Sequence, residues 1–534
     1  MNPAQKRRSA DRHRAKKGKK IPLWLYWVAG GVIFILLLIV LLPPLFEKEI
    51  RQQIENDMSQ NLDAFTFEVG EVKIHPFSLS FVLHDLVLIQ DDFPDPPVAN
   101  VSRLRAGVDW WQLLKANLLA DFLFEETTFH LNMERLQKVV DDDPDERANL
   151  FEALDSIHFL DFNLVELHDG ELTFIAEDGG VIQLHDIEVE IEDMLVGRQA
   201  SDELPSAFRF ECAMAEGRMA IQGRADLLAK PDPSLSGRFT VEDIALAELS
   251  ALLTESGVFV SDGSLNASGY LDYRDAGNAL YFEDLVLRDF WFDYVLGDKG
   301  VEQDAEQKSD TEETVETLEG SDPEGLRLYI DRLLVGGTFG FVNQRADPEY
   351  RVFLEDAQFS VYNYSNEFHE GVAEIHLEGL FMGSGETLGT ATFRPLGEYP
   401  EFDLALEINE TQLTSLNDVL LAYGNFDVQD GHFSFFTELS VADGYIDGYM
   451  RPLFGDMEVH DGRDEDDTLI DGLYETAIGA ITSLMENVPR DEVATQIDIS
   501  GPLDDPEMST WEIIWGLIQN AFFEAILPGF ESEL

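Results

Sequence analysis

Few residues in this chain of 534 stand where their types and spacing could do chemistry. The densest group is Asp461-Gly-Arg-Asp-Glu-Asp-Asp467, a carboxylate run able in principle to hold a divalent cation. It lacks the ordered alternation, central glycine and closing glutamate of a calcium loop. A chain with 104 acidic residues produces such runs by composition alone, so this one reads as a solvated loop. The 11 histidines are scattered, and none pairs with another at metal-ligand spacing. His75, His130 and His376 stand singly in strand-like stretches, while His158 and His168, ten residues apart, could share a strand face. The single cysteine, Cys212, excludes an intramolecular disulfide and leaves the redox compartment open. In Phe208-Arg-Phe-Glu-Cys212-Ala-Met214 the period-2 alternation puts it on an apolar strand face, as a small buried hydrophobe. The chain has no phosphate loop, no His-Glu-x-x-His and no Gly-x-Ser-x-Gly elbow; Gly383-Ser-Gly-Glu386 is a polar turn. No residue is marked for acid–base or nucleophilic work, so the chain reads as a non-enzyme without metal or cofactor.

The charge balance narrows the partners. A formal net charge of −68 excludes nucleic acid, whose phosphates need a basic surface. A hydrophobic fraction of 45% is that of a folded protein rather than an acidic disordered chain. Self-repulsion on this scale suits a setting where salt screens it.

The distribution of charge then fixes a topology. Residues 1–20 carry nine Lys/Arg against Asp11 alone and form a basic cytoplasmic tail. From Ile21 to Phe46 there is no charged residue, and 26 residues at about 1.5 Å each exceed a hydrocarbon core of roughly 30 Å. Trp24, Tyr26 and Trp27 suit the interface at one end, and Pro43-Pro44 marks the other. The positive-inside rule puts the N-terminus in the cytoplasm and the rest across the membrane. With no small-x-small cleavage site after the span, an uncleaved signal anchor is expected. No second segment qualifies, since Trp511–Leu527 is interrupted by Glu512, Gln519, Asn520 and Glu524.

The elements that follow are mostly strands. Phe46–Leu62 predicts a short polar helix leaving the membrane. Val72, Ile74, Phe77, Leu79, Phe81 and Leu83 alternate with polar residues, and Leu86 and Leu88 resume after His84-Asp85, which predicts strand–turn–strand. Asp109–Leu119 predicts a short helix. Asp169-Gly170, Asp262-Gly263 and Asp430-Gly431 predict tight hairpin connections, because Asp-Gly supplies positive φ. The acidic stretch Glu302–Glu324 predicts a disordered insertion (301–325) between β-rich regions 47–300 and 326–534. These are either two domains or one sheet with an insertion. Apolar spacing predicts a helix from Ile470 to Glu486 and an amphipathic one over Trp511–Ile526. One long antiparallel sheet, a sandwich and a solenoid-like stack all fit these strands. About 400 strand residues at roughly 12–15 each give on the order of 30 strands, or about 130–150 Å of unclosed sheet at ~4.8 Å spacing.

Three stretches in order resemble the AsmA-like superfamily, in particular its single-span envelope branch. Val69-Gly-Glu-Val-Lys-Ile-His-Pro-Phe-Ser-Leu-Ser-Phe-Val-Leu-His-Asp-Leu-Val-Leu88 looks like that branch's opening unit, with His75 where asparagine is usual. Asn149-Leu-Phe151 ahead of Ile157–Phe174 is similar to its Asn-Leu step and following Asp-Gly strand. Val428–Leu453, with Ile497-Asp-Ile-Ser-Gly-Pro-Leu503 behind it, looks like its C-terminal module. None of these stretches is catalytic, and the resemblance covers most of 47–534 apart from the acidic insertion.

The resemblance implies a mainly β fold, namely an elongated, curled antiparallel sheet with a few short helices. Its concave apolar face would accommodate phospholipid, and larger relatives are implicated in moving phospholipid between the membranes of Gram-negative bacteria. On that reading Leu79, Phe81, Leu83, Phe208, Phe210, Leu404, Leu406, Phe433 and Phe435 line the groove and shield acyl chains passively. The partners are then phospholipid, the inner membrane through 21–46, and an envelope protein at the C-terminal helix, with the bulk of the chain periplasmic. The same residues would be plain core in a closed sandwich, which would make the protein a structural or regulatory envelope scaffold.

Overall fold

The computed structural model describes residues 43–61, 65–76, 78, 80–91, 93–108, 119–132, 161–176, 180–194, 204–229, 233–249, 258–274, 278–296, 326–366, 371–394, 401–424, 427–459, 492–494 and 496–502. Within them lies one large mixed sheet of 21 strands. The first run is antiparallel: β1 (Phe65–His75), β2 (Ser80–Gln90), β3 (Ala99–Val108) and β4 (Leu119–Asn132). Next, β5 (Asp161–Ile175) lies parallel to β4 and opens a second run. It continues through β6 (Val181–Met194), β7 (Ser206–Met214), β8 (Gly217–Asp226) and β9 (Ser234–Ala245). The short β10 (Val258–Val260) and the longer β11 (Ser264–Tyr273) both pair with β12 (Ala279–Leu296).

A second parallel junction joins β12 to β13 (Arg327–Asn343) and opens the last run. That run comprises β14 (Tyr350–Ser365), β15 (Ala373–Phe381), β16 (Gly385–Arg394), β17 (Glu401–Gln412), β18 (Val428–Ala442) and β19 (Tyr445–Val459). Short β20 (Glu492–Ala494) and β21 (Ile497–Pro502) both pair with β19.

Two expectations change here. The sheet is mixed rather than antiparallel throughout, because parallel neighbours need a long return connection and residues 133–160 and 297–325 supply two. The regions either side of the acidic insertion therefore share one sheet. The strands of the described residues are also fewer than the roughly 30 expected, since about 240 residues rather than about 400 lie in them. With β10 and β20 sharing positions with β11 and β21, nineteen positions separated by eighteen steps of ~4.8 Å give a contour of about 86 Å.

The Asp-Gly pairs correct a local reading. Asp169 has φ 54° inside β5, and Gly431 has φ 127° inside β18. Gly263, φ 102°, sits at the break between β10 and β11 on the β12 edge. All three mark irregularities of the ladder, not hairpins, because a bulge demands the same positive φ as a tight turn. His84-Asp85 behaves likewise: β2 runs through it, with Asp85 at φ 53°. True hairpin turns sit at Met382-Gly383 and Asp443-Gly444, each with two consecutive positive φ values.

Such positive-φ positions recur at matched places, seven of them at register shifts, while the register runs on unshifted at Asp85 and Glu126. Asp85, Glu126, Asp169, Asp186, Asp243, Asp289, Asp356, Glu410 and Asp456 all have φ between 47° and 59°. Each follows one polar or small residue and sits between two residues of the opposite face, as in Leu83-His84-Asp85-Leu86 and Leu287-Arg288-Asp289-Phe290. Two successive residues thus project to the polar side, alternation resumes in phase, and each strand bends at that line.

Three short helical pieces complete the described residues: α1 (Pro43–Asn61), α2 (Leu246–Leu249), and a 3-10 turn Leu413–Leu416 leading into α3 (Asn417–Gly424). The polar helix expected at Phe46–Leu62 is α1. Pro43 and Pro44 stand in its first turn, where a missing N–H costs nothing, rather than ending a helix. Helix α1 covers the β1 edge of the sheet. Glu55 Oε1 accepts the Val69 N–H at 3.0 Å, and Arg51 Nη1 donates to Val69 O at 3.3 Å and Gly70 O at 3.2 Å. Among the described residues no helix is long and apolar enough to cross a membrane. The basic tail, the span over 21–42, the helices expected at 109–118, 470–486 and 511–526, and the 461–467 carboxylates lie outside the described residues.

Candidate functional site

In a β-ladder directly paired residues share a face, so register alone shows what each side of the sheet presents. One row runs Ile74–Phe81–Ala106–Phe122–Val165–Ile191–Phe208–Gly223–Gly237–Leu271–Leu280–Leu328. Beside it runs Val72–Leu83–Leu104–Phe124–Leu167–Val189–Phe210–Ile221–Phe239–Gly269–Phe282–Ile330. A third starts on β7 and reaches the far end: Cys212–Met219–Val241–Ala267–Leu285–Leu333–Val361–Ile375–Ala391–Leu404–Leu439–Gly448–Ile499. No charged side chain interrupts any of them. Two glycines within the rows lie under neighbouring rings, Gly237 under Phe208 and Gly269 under Phe239. Phe239 and Phe282 meet edge to face over Gly269 with centroids 5.5 Å apart, a contact that aromatic quadrupoles favour.

The opposite face is polar. One of its rows reads Lys73–Val82–Arg105–Leu123–Glu166–Glu190–Arg209–Gln222–Arg238–Tyr270–Tyr281–Tyr329. Another places acidic and basic side chains side by side as Glu71–His84–Arg103–Glu125–His168. The Glu188 carboxylate hydrogen-bonded to His168 Nδ1 raises that imidazole's pKa, so the histidine serves the ladder.

The sequence-selected residues therefore converge. Phe81, Leu83, Phe208, Phe210, Leu404, Leu406, Phe433 and Phe435 all lie on the apolar face, while Leu79 is outside the described residues. They differ in cover. Phe81 is 39% exposed, and Phe208, Phe210, Leu404 and Leu406 are half-buried. Leu83 is 3% exposed, in a cluster that includes Ile50 and Ile54 of α1. Phe433 and Phe435, at 1% and 3%, are packed with Leu413, Leu416 and Leu420 of the 3-10 turn and α3. Asn417 pins that segment, its side chain exchanging two 2.9 Å hydrogen bonds with the Val428 backbone. The apolar face is thus closed at its two ends and half-open between them.

Cys212 sits in the third row with its thiol pushed up to about 11 by burial, which makes it an inert hydrophobe. Among the described residues no group of three or more His, Cys, Asp or Glu could hold a metal ion. His158 lies outside the described residues.

No known protein family, curated protein or solved structure matches this chain. Its chemistry must be read from its own surfaces. The sequence reading missed the recurrence of hydrophobic–x–Asp–hydrophobic at six of the nine positions, which was available as a repeated tetrapeptide. It also missed Leu413, Leu416 and Leu420, whose helical spacing marks the cover over Phe433.

Proposed function

We propose that this protein is anchored in a bacterial inner membrane by residues 21–46 and carries phospholipid on the apolar face of its periplasmic sheet. The carrying observation is the continuity of that face from β1 to β13. The part of these two rows left half-open, from β4 to β12, has a footprint on the order of 500 Å², at the upper end of the few hundred Å² that soluble proteins leave apolar and uncovered. On this reading the bulges, which put the extra residue on the polar side of the strands that carry them, curve those strands toward the apolar side.

The dimensions suit acyl chains. Phe208, Phe210 and Cys212 step along β7 at about 6.7 Å each, covering ~14 Å, close to the ~15 Å that one leaflet's chains span. Headgroups remain in water at the open edge, the action is passive, and the chain is not an enzyme. The AsmA-like resemblance of the opening and closing stretches supports the same reading and a role in envelope lipid homeostasis.

The C-terminal part of the face, dry beneath α3, favours a structural or regulatory scaffold as the second reading. Lipid analysis of the full-length protein in mild detergent, beside an unrelated single-span protein, separates the two. Several phospholipids retained above that control are expected. Only the annular background would leave the scaffold.

A further inference from the structure

The polar face holds two adjoining hollows that the lipid reading does not use. One, of about 750 Å³, opens over β12–β15, the other, of about 630 Å³, over β15–β19, and His376 lines both. The first exposes two large aromatic rings, Trp291 at 42% and Tyr362 at 40%. Their partners on β13 are Thr338 and Arg332, six residues apart, so the rings stand ~20 Å apart along the strand.

Trp291 is held in place on the surface. Its indole N–H donates to Asp293 Oδ2 at 2.7 Å, and the Arg351 guanidinium lies 4.6 Å from its ring centroid. Arg351 is fixed in turn by Asp293 at 2.7 Å and by the Phe353 ring at 4.9 Å. Gly340 makes room for this cluster, because a Cβ there would meet Asp293 Oδ1 at 1.8 Å. Tyr362 is set edge-on to His376, centroids 6.4 Å apart. Between the two rings Gln358 rests over Gly336, where a Cβ would lie 3.2 Å from its Nε2, and Arg288 and Glu378 complete the lining. The second hollow adds hydroxyl–carboxylate pairs, with Ser440 Oγ donating to Asp403 Oδ1 at 2.6 Å.

Rigid, exposed rings interspersed with amide, carboxylate and guanidinium groups match the two surfaces of a pyranose. Its C–H face stacks on aromatic rings, and its hydroxyls both donate and accept. The prevailing carboxylates exclude anionic polymers. A cavity of several hundred Å³ with a few convergent polar groups is of ligand size. We propose that this trough binds a linear, neutral oligosaccharide, roughly four pyranose rings filling the ~20 Å between Trp291 and Tyr362. The site is on the opposite face from the lipid surface and does not depend on it.

The test is isothermal titration of the full-length protein in mild detergent with β-1,4-linked tetramers of N-acetylglucosamine and of glucose. Saturable binding of at least one tetramer is expected, weakened about tenfold by Trp291→Ala or Tyr362→Ala. Gly336→Val, which fills the floor without removing a ring, should weaken it too and guards against a misfolded Trp291 variant. No heat with either tetramer up to its solubility limit, or unchanged affinity in all three folded variants, overturns the proposal. Lipid retention measured on the same samples keeps this outcome separate from that of the apolar face.

Discussion

Phe210→Asp should fold and retain about one tenth of the phospholipid carried by the unsubstituted protein. Phe210 stands mid-face on β7, paired with Val189 on one side and Ile221 on the other, and is half-buried. A carboxylate there can still reach water, so the ladder tolerates it. An acyl chain laid across it cannot satisfy it, and a buried polar group without a partner costs about 1–3 kcal/mol. Quantitative lipid mass spectrometry on matched preparations reads the loss, with circular dichroism confirming the fold. Equal lipid in the variant would remove Phe210 from the contact surface.

Phe433→Ala should act in the opposite way, lowering stability by about 3–5 kcal/mol while lipid retention stays unchanged. The ring is 1% exposed and sits 5.2 Å from Phe454 and 6.5 Å from Phe435, centroid to centroid. Leu413 and Leu416 cover it, at 1% and 0% exposure, so its removal opens a cavity that the pinned 3-10 turn cannot collapse to fill. Urea unfolding measures the first effect, and lipid analysis below the transition measures the second. Lost lipid without lost stability would mean that the covered end of the face opens to cargo.

These two residues illustrate what sequence could and could not reveal. Period-2 alternation identifies a strand's apolar face, so Phe208, Phe210, Leu404, Leu406, Phe433 and Phe435 were legible as one-sided positions. Cover was not, because it depends on Leu413–Gly424 folding back over β18, a tertiary event. Asp-Gly was legible as a site of positive φ, but a turn and a bulge make the same local demand, and only the pairing of β5 with β6 shows which occurs. The parallel junctions at β4–β5 and β12–β13 were hidden for another reason. They are set by where a chain returns after residues 133–160 and 297–325, and strand patterning carries no record of that. The polar-face trough was out of reach altogether, since Trp291 and Tyr362 are brought to one trough only by pairing on either side of β13.

The central claim is that acyl chains lie on one face of the sheet and not the other, and neighbouring residues test it directly. A photo-crosslinking amino acid is placed in turn at Phe210, on the apolar face, and at Arg209, on the polar face of the same strand. After irradiation in native membranes, the full-length protein is analysed by mass spectrometry. Phospholipid adducts at 210 and none at 209 are predicted. Adducts at both positions, or at neither, would contradict a lipid-bearing apolar face.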